Sequence, residues 1–165
     1  MEFGVQFQIT MKLTIRNIIE NDYNQIRLIN EQTQIQYLGE VKWNKLSKAE
    51  KEDHMVSKKS EFKTNVNSPY SIVAEINNQL VGFIFAHITI PTKNVIYIHH
   101  VAIIPHYQGK GIGVEMCKWI IQKARRNKIK EIMSSINPDN PKSIRMHEKA
   151  GFTVQDWKKA TLIIR

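Results

Sequence analysis

Apolar positions along the chain follow two different periods, and their order predicts a mixed α/β protein. Residues 95–104 form a mostly apolar segment that ends at Pro105, as expected for a buried strand. The next apolar positions recur at the spacing of one helix face: Ile112, Met116, Trp119, Ile120 and Ala124. A strand, a turn and a helix are therefore expected in direct succession over residues 95–124.

Shorter segments of the same kind precede and follow this unit. Apolar positions 13, 15 and 18 indicate a first strand, and Asn21-Asp22 predict the cap of a helix. A polar, lysine-rich stretch over residues 46–62 is predicted as a second helix. Strands are predicted over residues 70–76, 80–89, 131–136, 152–156 and 161–164, the first two joined by a hairpin at Asn77-Asn78.

The turn between the central strand and its helix is rich in glycine and reads Gln108-Gly109-Lys110-Gly111-Ile112-Gly113. At a helix N-terminus such a turn leaves backbone N–H groups unpaired, at the positive end of the helix dipole and without Cβ atoms nearby. These properties favour a phosphate group. A P-loop is excluded because no Ser or Thr follows the lysine, and the alternating glycines do not match the dinucleotide fingerprint.

A second motif, over residues 137–152, describes a complete capped helix. Asn140 is a good N-cap and Pro141 suits the first helical position. Gly151 can adopt the left-handed conformation that ends a helix, with Phe152 packing back behind it. A helix with defined ends is therefore expected between residues 140 and 151.

The two motifs, in this order and spacing, resemble those of the GCN5-related N-acetyltransferase (GNAT) family. There Gln-x-x-Gly-x-Gly forms the coenzyme A pyrophosphate loop, and the segment after the fifth strand commonly reads Asn-x-x-Asn-x-x-Ala-x-x-x-Tyr-x-x-x-Gly-Phe. Ser143 stands at the small position and His147 at the tyrosine position, as in the similar helix of phosphinothricin-type acetyltransferases. The positions that match the second pattern directly are Asn137, Asn140, Gly151 and Phe152.

The resemblance covers residues 11–165 and implies the acyl-CoA N-acyltransferase fold, a mostly antiparallel seven-stranded sheet flanked by about four helices. Residues 1–10 are then an extension before a single domain, with Met11 a candidate native start. The implied activity is transfer of an acetyl group from acetyl-CoA to a primary amine of a small molecule, by direct attack in a ternary complex. Acetyl-CoA is the expected co-substrate, and no metal is expected.

The resemblance also implies which residues contact coenzyme A. The fourth strand of the family is splayed from the fifth, so its backbone can bind the pantetheine arm and the thioester oxygen. The residues expected to bind the coenzyme are Val101, Ala102, Ile103, Gln108, Gly109, Lys110, Gly111, Ile112, Gly113, Val114, Asn140 and Ser143.

Acetyl transfer also needs proton chemistry, because an alkyl amine with a pKa of about 10.4 arrives protonated. His147 is expected beside the coenzyme sulfur, either donating a proton to the leaving thiolate or merely packing. His99 is predicted to share a strand face with Tyr97 and Val101 and is a candidate base. The alternative is a half-buried histidine whose hydrogen bonds are satisfied and which has no catalytic role. His100 is predicted to point to the opposite face. Glu75 is the alternative base, acting through water.

Charge and composition limit the partners. The chain has 24 Lys and Arg against 15 Asp and Glu, a net charge of +9 that favours anionic coenzyme A and opposes polycationic acceptors. Basic residues near the end of the central helix are not interleaved with aromatics, so no nucleic-acid partner is expected. Cys117 is the single cysteine and is expected to be packed. No apolar run is long enough for a membrane span, and a cytoplasmic location is expected.

Three alternatives stay open at this stage. The acceptor could be a protein, through an N-terminal α-amine or a lysine. The protein could be a coenzyme A-binding module without turnover, or a basic nucleic-acid binder with salt-dependent affinity. A homodimer through the strand over residues 161–164 is also expected, because that apolar strand has an edge that could be exposed.

Overall fold

The computed structural model of the protein describes residues 12–91 and 94–156. Strands in these ranges form one sheet in the order β1-β2-β3-β4-β5. Their bounds are β1 (Leu13–Asn17), β2 (Ile72–Ile76), β3 (Gln79–Ile88), β4 (Val95–Ile103) and β5 (Glu131–Ser134). The first four strands pair antiparallel, whereas β5 pairs parallel to β4. The predicted mixed α/β class is confirmed.

Helices cover both faces of the sheet. The α-helices in the described ranges are α1 (Tyr23–Leu38), α2 (Glu40–Lys45), α3 (Lys48–His54), α4 (Lys59–Val66), α5 (Ile112–Arg126) and α6 (Pro141–Ala150). One apolar core joins the sheet to α5 and α6 through residues such as Met116, Ile120 and Ala150. A second core on the opposite face joins Phe83 and Phe85 to α1 and α4. None of these helices combines the length and apolar character that crossing a bilayer requires.

The hairpin between β2 and β3 and both ends of α6 form where the sequence predicts them. The hairpin residues Asn77 and Asn78 have φ angles of 51° and 65°, and two positive φ angles are what a type I′ turn requires. The Asn140 side chain accepts from the Ser143 backbone N–H at 3.0 Å, so the predicted N-cap of α6 is confirmed. Gly151 ends that helix with a φ of 99°.

The predicted single helix over residues 46–62 is wrong, because the chain there forms α3, a break and the start of α4. Ser47 and Glu50 form a capping box that begins α3. In the break, Ser57 is fully buried and donates its backbone N–H and its hydroxyl to Asn30 Oδ1 on α1. The break is therefore set by a tertiary contact that local propensity does not reveal.

Within residues 12–91 and 94–156 the fold has five strands and six α-helices, where seven strands and about four helices were expected for the whole domain. Residues 152–156 follow α6 without regular secondary structure. A strand exists through ladder hydrogen bonds, and none of the described strands pairs with these residues. The strand predicted over residues 161–164, and with it the expected dimer contact, lies outside the described residues, as do residues 1–10 and Met11.

Candidate active site

Among the strands that the structure describes, the second half of β4 is paired on one side only. β4 pairs with β5 from Val95 to Ile98, whereas its pairing with β3 continues to Ile103. Val101, Ala102 and Ile103 therefore have no strand neighbour on the β5 side among the described elements. Unpaired ladder positions of this kind can bind an extended, amide-containing ligand.

A β-bulge lies where this one-sided half begins. The pairing of β3 with β4 runs from Phe85↔His100 directly to Ala86↔Ile98, so His99 is an extra residue on β4. Alternation of side chains between the two faces is interrupted at such a residue. The bulge therefore decides where both neighbouring imidazoles lie.

Both imidazoles lie on the α1 and α4 face of the sheet. The His100 ring stacks on Phe83 at a centroid distance of 5.5 Å, and the His99 ring lies 5.7 Å from Phe85. Val101 packs against the core on the opposite face. The prediction that His100 points away from His99 is wrong, as is the shared face of His99 and Val101, because the bulge shifts the alternation by one residue.

The half-buried His99 has a defined set of neighbours. Its Nε2 atom lies 3.1 Å from Asn65 Oδ1 on α4, and its ring centroid lies 5.4 Å from that of the exposed His87. Burial, and next the nearby His87, lower the pKa of His99 below the usual histidine value. The ring is therefore neutral near pH 7, as a proton acceptor must be.

His147 is more enclosed, with 2% of its surface exposed. Its Nδ1 atom lies 2.9 Å from the Ser143 carbonyl oxygen one helical turn earlier, and its ring meets Phe152 edge-on at 5.1 Å. Because a carbonyl only accepts, Nδ1 carries the proton and Nε2 a lone pair. The Nε2 atom is buried and has no hydrogen-bond partner in the described ranges. Burial lowers the pKa of His147, although the bond to Ser143 opposes this.

Glu75 is engaged elsewhere. Its carboxylate accepts from Arg16 Nε at 3.0 Å and from Arg16 Nη2 at 2.6 Å, and Arg16 also forms an ion pair with Asp22. Asp22 is the N-cap residue predicted for α1, but its side chain accepts no hydrogen bond from the backbone of that helix. Its carboxylate accepts instead from Arg16 and from the Ile19 N–H. Along β3 the partners of Glu75 and His100 are five residues apart, roughly 16 Å. Glu75, the alternative base, therefore lies far from His99 along the sheet.

The glycine-rich turn leaves its backbone open. Gly109 and Gly111 have φ angles of 76° and 82°, and a Cβ at either position would meet nothing within 4 Å. No hydrogen bond from the backbone N–H groups of residues 109–113 exists in the described part of the chain. The Lys110 ammonium lies 5.0 Å from the centroid of the Tyr107 ring. This arrangement has the donors and the positive charge that bind phosphate groups.

Other predicted coenzyme residues anchor this turn to the rest of the fold. The Gln108 amide donates to the Ile103 carbonyl at 2.9 Å and to Gln36 Oε1 on α1 at 2.8 Å. Gly113 is buried, and a Cβ there would lie 3.1 Å from both Ile103 Cδ1 and Met146 Cγ. The absence of a Cβ at Gly113 therefore allows α5 to pack closely on β4 and α6.

The remaining predicted coenzyme residues occupy the surrounding helix starts. Ile112 points into the core with 4% exposure, so only its backbone faces the turn. Val114 and Ser143 are partly exposed, and Asn140 is exposed at the start of α6. No sequence pattern indicates Gln36, Asn65 or His87, because their partners lie 34 or more residues away or on another strand.

A separate cleft of about 430 Å³ lies between α1, α2 and α3. Its walls include Arg27, Trp43 and Lys51, and it shares no residue with β4 or the glycine-rich turn. No group of three or more His, Cys, Asp or Glu side chains within residues 12–91 and 94–156 is arranged to hold a metal ion. The chemistry expected from the sequence therefore centres on the open half of β4.

Known proteins resemble this chain in part of its sequence. An L-2,4-diaminobutyric acid acetyltransferase of Nocardia farcinica is 26% identical over 76 residues, which are 46% of this chain and 39% of that protein. An L-methionine sulfoximine/L-methionine sulfone acetyltransferase of Salmonella typhimurium is 39% identical over 90 residues, 50% of each. The chain thus spans half or less of the length of these curated relatives.

Solved structures resemble nearly the whole fold. The PaiA N-acetyltransferase of Thermoplasma acidophilum, in complex with coenzyme A, has a TM-score of 0.75 and 17% identity, covering 90% of this chain and 94% of that one. The aminoglycoside acetyltransferase meta-AAC0020 from an uncultured soil metagenomic sample has a TM-score of 0.65 and 15% identity, covering 92% and 95%. At these identities the likeness establishes the fold alone.

The family comparison is more specific. The model of the acetyltransferase (GNAT) family matches residues 31–152, which include β2 to β5, the glycine-rich turn and α6. This match covers well over half of the chain. The protein therefore belongs to the acetyltransferase (GNAT) family.

Proposed function

We propose that the protein transfers an acetyl group from acetyl-CoA to a primary amine of a small molecule, by direct attack in a ternary complex. One observation carries the proposal. The half of β4 that lacks a described neighbour on the β5 side is followed by one 3-10 turn (Pro105–Tyr107) and then by the open glycine-rich turn at the start of α5. A phosphate-binding turn and an unpaired strand thus form a continuous surface, suited to a ligand with phosphates at one end and amides along its arm.

Coenzyme A would be held by that surface. The backbone of residues 109–113 faces the pyrophosphate in this proposal, and Lys110 adds positive charge. The backbone of Val101, Ala102 and Ile103 binds the pantetheine arm and the thioester oxygen, while Gln108 holds the turn in place. Val114, Asn140 and Ser143 lie at the adjoining helix starts and complete the proposed contact surface.

The proposed reaction forms a C–N bond and breaks the thioester C–S bond. The ammonium of the acceptor loses one proton to His99, which returns it to solvent, and the neutral amine attacks the thioester carbon. As the tetrahedral intermediate collapses, the nitrogen loses its second proton to solvent and becomes a neutral amide. Backbone N–H groups on the open side of β4 stabilise the oxyanion that develops. The electron pair of the C–S bond leaves with sulfur as a thiolate. Because the pKa of His99 is lowered, transfer of this proton is uphill, and the rate is expected to rise with pH.

His147 is the weaker candidate for an acid. Its bond to the Ser143 carbonyl places the proton on Nδ1, and the burial that lowers its pKa disfavours a second proton on Nε2. A thiol has a pKa of about 8.5, so its thiolate leaves readily without a proton donor. We therefore propose that His147 shapes the wall beside the sulfur and that the thiolate leaves unassisted.

A small-molecule acceptor is favoured by the relatives. The proteins that match in sequence are acetyltransferases for diaminobutyric acid and for methionine sulfoximine or sulfone, which are small amino acids. The net charge of +9 disfavours long polycationic acceptors such as basic peptide tails. An amino acid or a related amine is therefore the proposed acceptor class.

An acetyl-CoA consumption screen tests the proposal. Diaminobutyrate, methionine sulfoximine, methionine sulfone, other amino acids, aminoglycosides, polyamines and peptides are offered separately, and free thiol is measured. Release of thiol with a small amino acid supports the proposal, and the acetylated product is identified by mass spectrometry. Turnover of peptides alone would move the acceptor to proteins. Coenzyme A binding without turnover of any amine would instead indicate a binding module.

A further inference from the structure

Asn65 on α4 joins a chain of hydrogen bonds that ends at His99. The Asn65 side chain is buried, with 4% exposure. Its Oδ1 atom lies 3.1 Å from His99 Nε2 and accepts from the Ser71 hydroxyl at 3.1 Å. Its Nδ2 atom donates to the Glu61 backbone carbonyl at 2.8 Å. Both ends of this amide are therefore engaged by fixed groups.

The orientation of the Asn65 amide follows from these partners. The Glu61 carbonyl can only accept, so the atom that faces it must be the NH₂ group. In a flipped amide, two oxygens would lie 2.8 Å apart and the Glu61 contact would become repulsive. The Ser71 hydroxyl is held as well, because its oxygen accepts from the Ala86 N–H at 3.0 Å. Its single proton has two acceptors within reach, Asn65 Oδ1 at 3.1 Å and the Ala86 carbonyl at 3.0 Å. The oxygen of Asn65 consequently faces His99.

An amide oxygen has no proton to give, so His99 must be the donor in this contact. We propose that Asn65 is a positioning residue for acetyl transfer, which holds the His99 proton on Nε2 and thereby makes Nδ1 the atom that accepts the amine proton. This inference rests on the proposed function and adds an atomic assignment to it. When Nδ1 takes up the proton, Nε2–H keeps its acceptor, so the imidazolium is stabilised in place.

The groups around His99 determine how its titration is read. His87 on β3 faces it at a centroid distance of 5.4 Å, and Phe85 on the same strand covers part of its ring. Tyr97, two residues before it on β4, makes an edge contact with His87, and His100 follows His99 directly and interacts with it electrostatically. From α4 the contact is the neutral Asn65. A carboxylate at position 65 would add a negative charge to these neighbours, and it would be recognised by a higher pKa of His99.

Nuclear magnetic resonance of the full chain tests the assignment without any substrate. Ring ¹H–¹⁵N correlations of His99, assigned with a His99→Gln variant, distinguish a protonated nitrogen from one with a lone pair. We expect the neutral wild-type ring to carry its proton on Nε2. Asn65→Asp keeps an oxygen acceptor for His99 but replaces the donor to the Glu61 carbonyl with an oxygen. The tautomer should therefore persist and the pKa of His99 should rise by about one unit, while the stability of α4 falls. Asn65→Leu removes the acceptor, and a mixture of the two tautomers is expected.

Asn67 provides the matched control. It lies at the end of the same helix, and its Nδ2 donates to the Lys63 carbonyl at 3.0 Å, but its side chain is exposed and contacts no histidine. Asn67→Asp and Asn67→Leu should leave the His99 tautomer and titration unchanged. A general loosening of α4 would instead affect both positions, and thermal unfolding of all four variants measures it.

Kinetics with the acceptor from the screen connects the tautomer to catalysis. Asn65→Leu is expected to lower kcat about 5- to 20-fold at pH 7, with an unchanged KM for acetyl-CoA. In Asn65→Asp the acidic limb of the pH profile should move to higher pH, together with the titration of His99. A wild-type ring protonated on Nδ1, or an unchanged tautomer in Asn65→Leu, overturns the inference. If no amine is acetylated, the proposed function fails while the tautomer result still stands.

Discussion

His99 and His147 lie on opposite sides of the sheet, and in each ring one N–H donates a hydrogen bond to a fixed acceptor. The acceptor of His99 is the Asn65 side chain, which belongs to another helix. The acceptor of His147 is a backbone carbonyl of its own helix, one turn earlier. The first contact depends on which residue stands at position 65, whereas the second forms for any histidine in a helix with this rotamer. A histidine hydrogen bond of similar length is therefore specific to its neighbour at position 99 and generic to the helix at position 147.

The largest expected effect concerns stability, and it sets the pH range in which the two histidines can be compared. Burial, and next the nearby His99, lower the pKa of His100 to about 4. Between pH 6.5 and about 4 the unfolded chain binds a proton at His100 that the folded chain does not bind. The free energy of unfolding should therefore fall across this window by between about 1 and 3 kcal/mol, with no further loss from this group below it.

Urea unfolding at a series of pH values measures this slope. His100→Leu should make the dependence between pH 6.5 and 4 shallower, because the group that titrates is gone. The exposed His54 on α3 is a control, and His54→Gln should keep the wild-type slope. An equal slope in wild type and His100→Leu would mean that other groups determine the acid sensitivity.

The next largest effect should come from His99 itself. His99→Ala is expected to lower kcat/KM for the acceptor about 10- to 100-fold at neutral pH, because it removes the base. The loss should shrink as pH rises, since more of the amine is then neutral without help. A pH–rate series for wild type and variant checks this. A constant loss at every pH would show that His99 supports the site without accepting a proton.

A variant of the glycine-rich turn separates binding from proton chemistry. Gly111→Glu places bulk and negative charge in the proposed pyrophosphate site, so the Kd for coenzyme A should rise at least about tenfold, or roughly 1.4 kcal/mol. Calorimetry measures the change. Gly39→Glu is the matched control, because Gly39 also has a positive φ of 83° and open surroundings. It shares the backbone strain but lies between α1 and α2, so coenzyme A affinity should stay unchanged.

The smallest effect is expected at His147. His147→Phe keeps a ring in the buried space, and kcat should fall by about threefold or less with an unchanged pH profile, because the thiolate leaves unaided. The pH–rate series of the previous variants serves here as well. A loss of 10-fold or more, confined to the high-pH limb, would instead make His147 a general acid.

Local patterns predicted the parts of the fold that local interactions determine. The central strand, its turn and α5 follow from periodicity, and the cap residues Asn140 and Gly151 give both ends of α6. The break before α4 could not be predicted, because it depends on Asn30, 27 residues away from Ser57. Residues 152–156 alternate like a strand, but alternation alone does not provide a paired neighbour.

The candidate site was predicted less completely than the fold. The motifs indicated the turn, the open part of β4 and both histidines, yet the bulge at His99 leaves no mark in the apolar pattern. A single extra residue moves every later side chain to the other face, so the face of His100 was assigned wrongly. Asn65 could not be found from the sequence, because only the packing of α4 on the sheet brings it to His99.

The one-sided pairing of β4 gives this sheet an edge in its interior. Most sheets confine unpaired backbone groups to their outer strands, where water satisfies them. A ligand that fills the gap between β4 and β5 would act as an additional strand, and its binding free energy would add to that of folding. The free energy of unfolding of such a protein would then depend on the ligand concentration. The folded fraction would fall when the ligand is depleted.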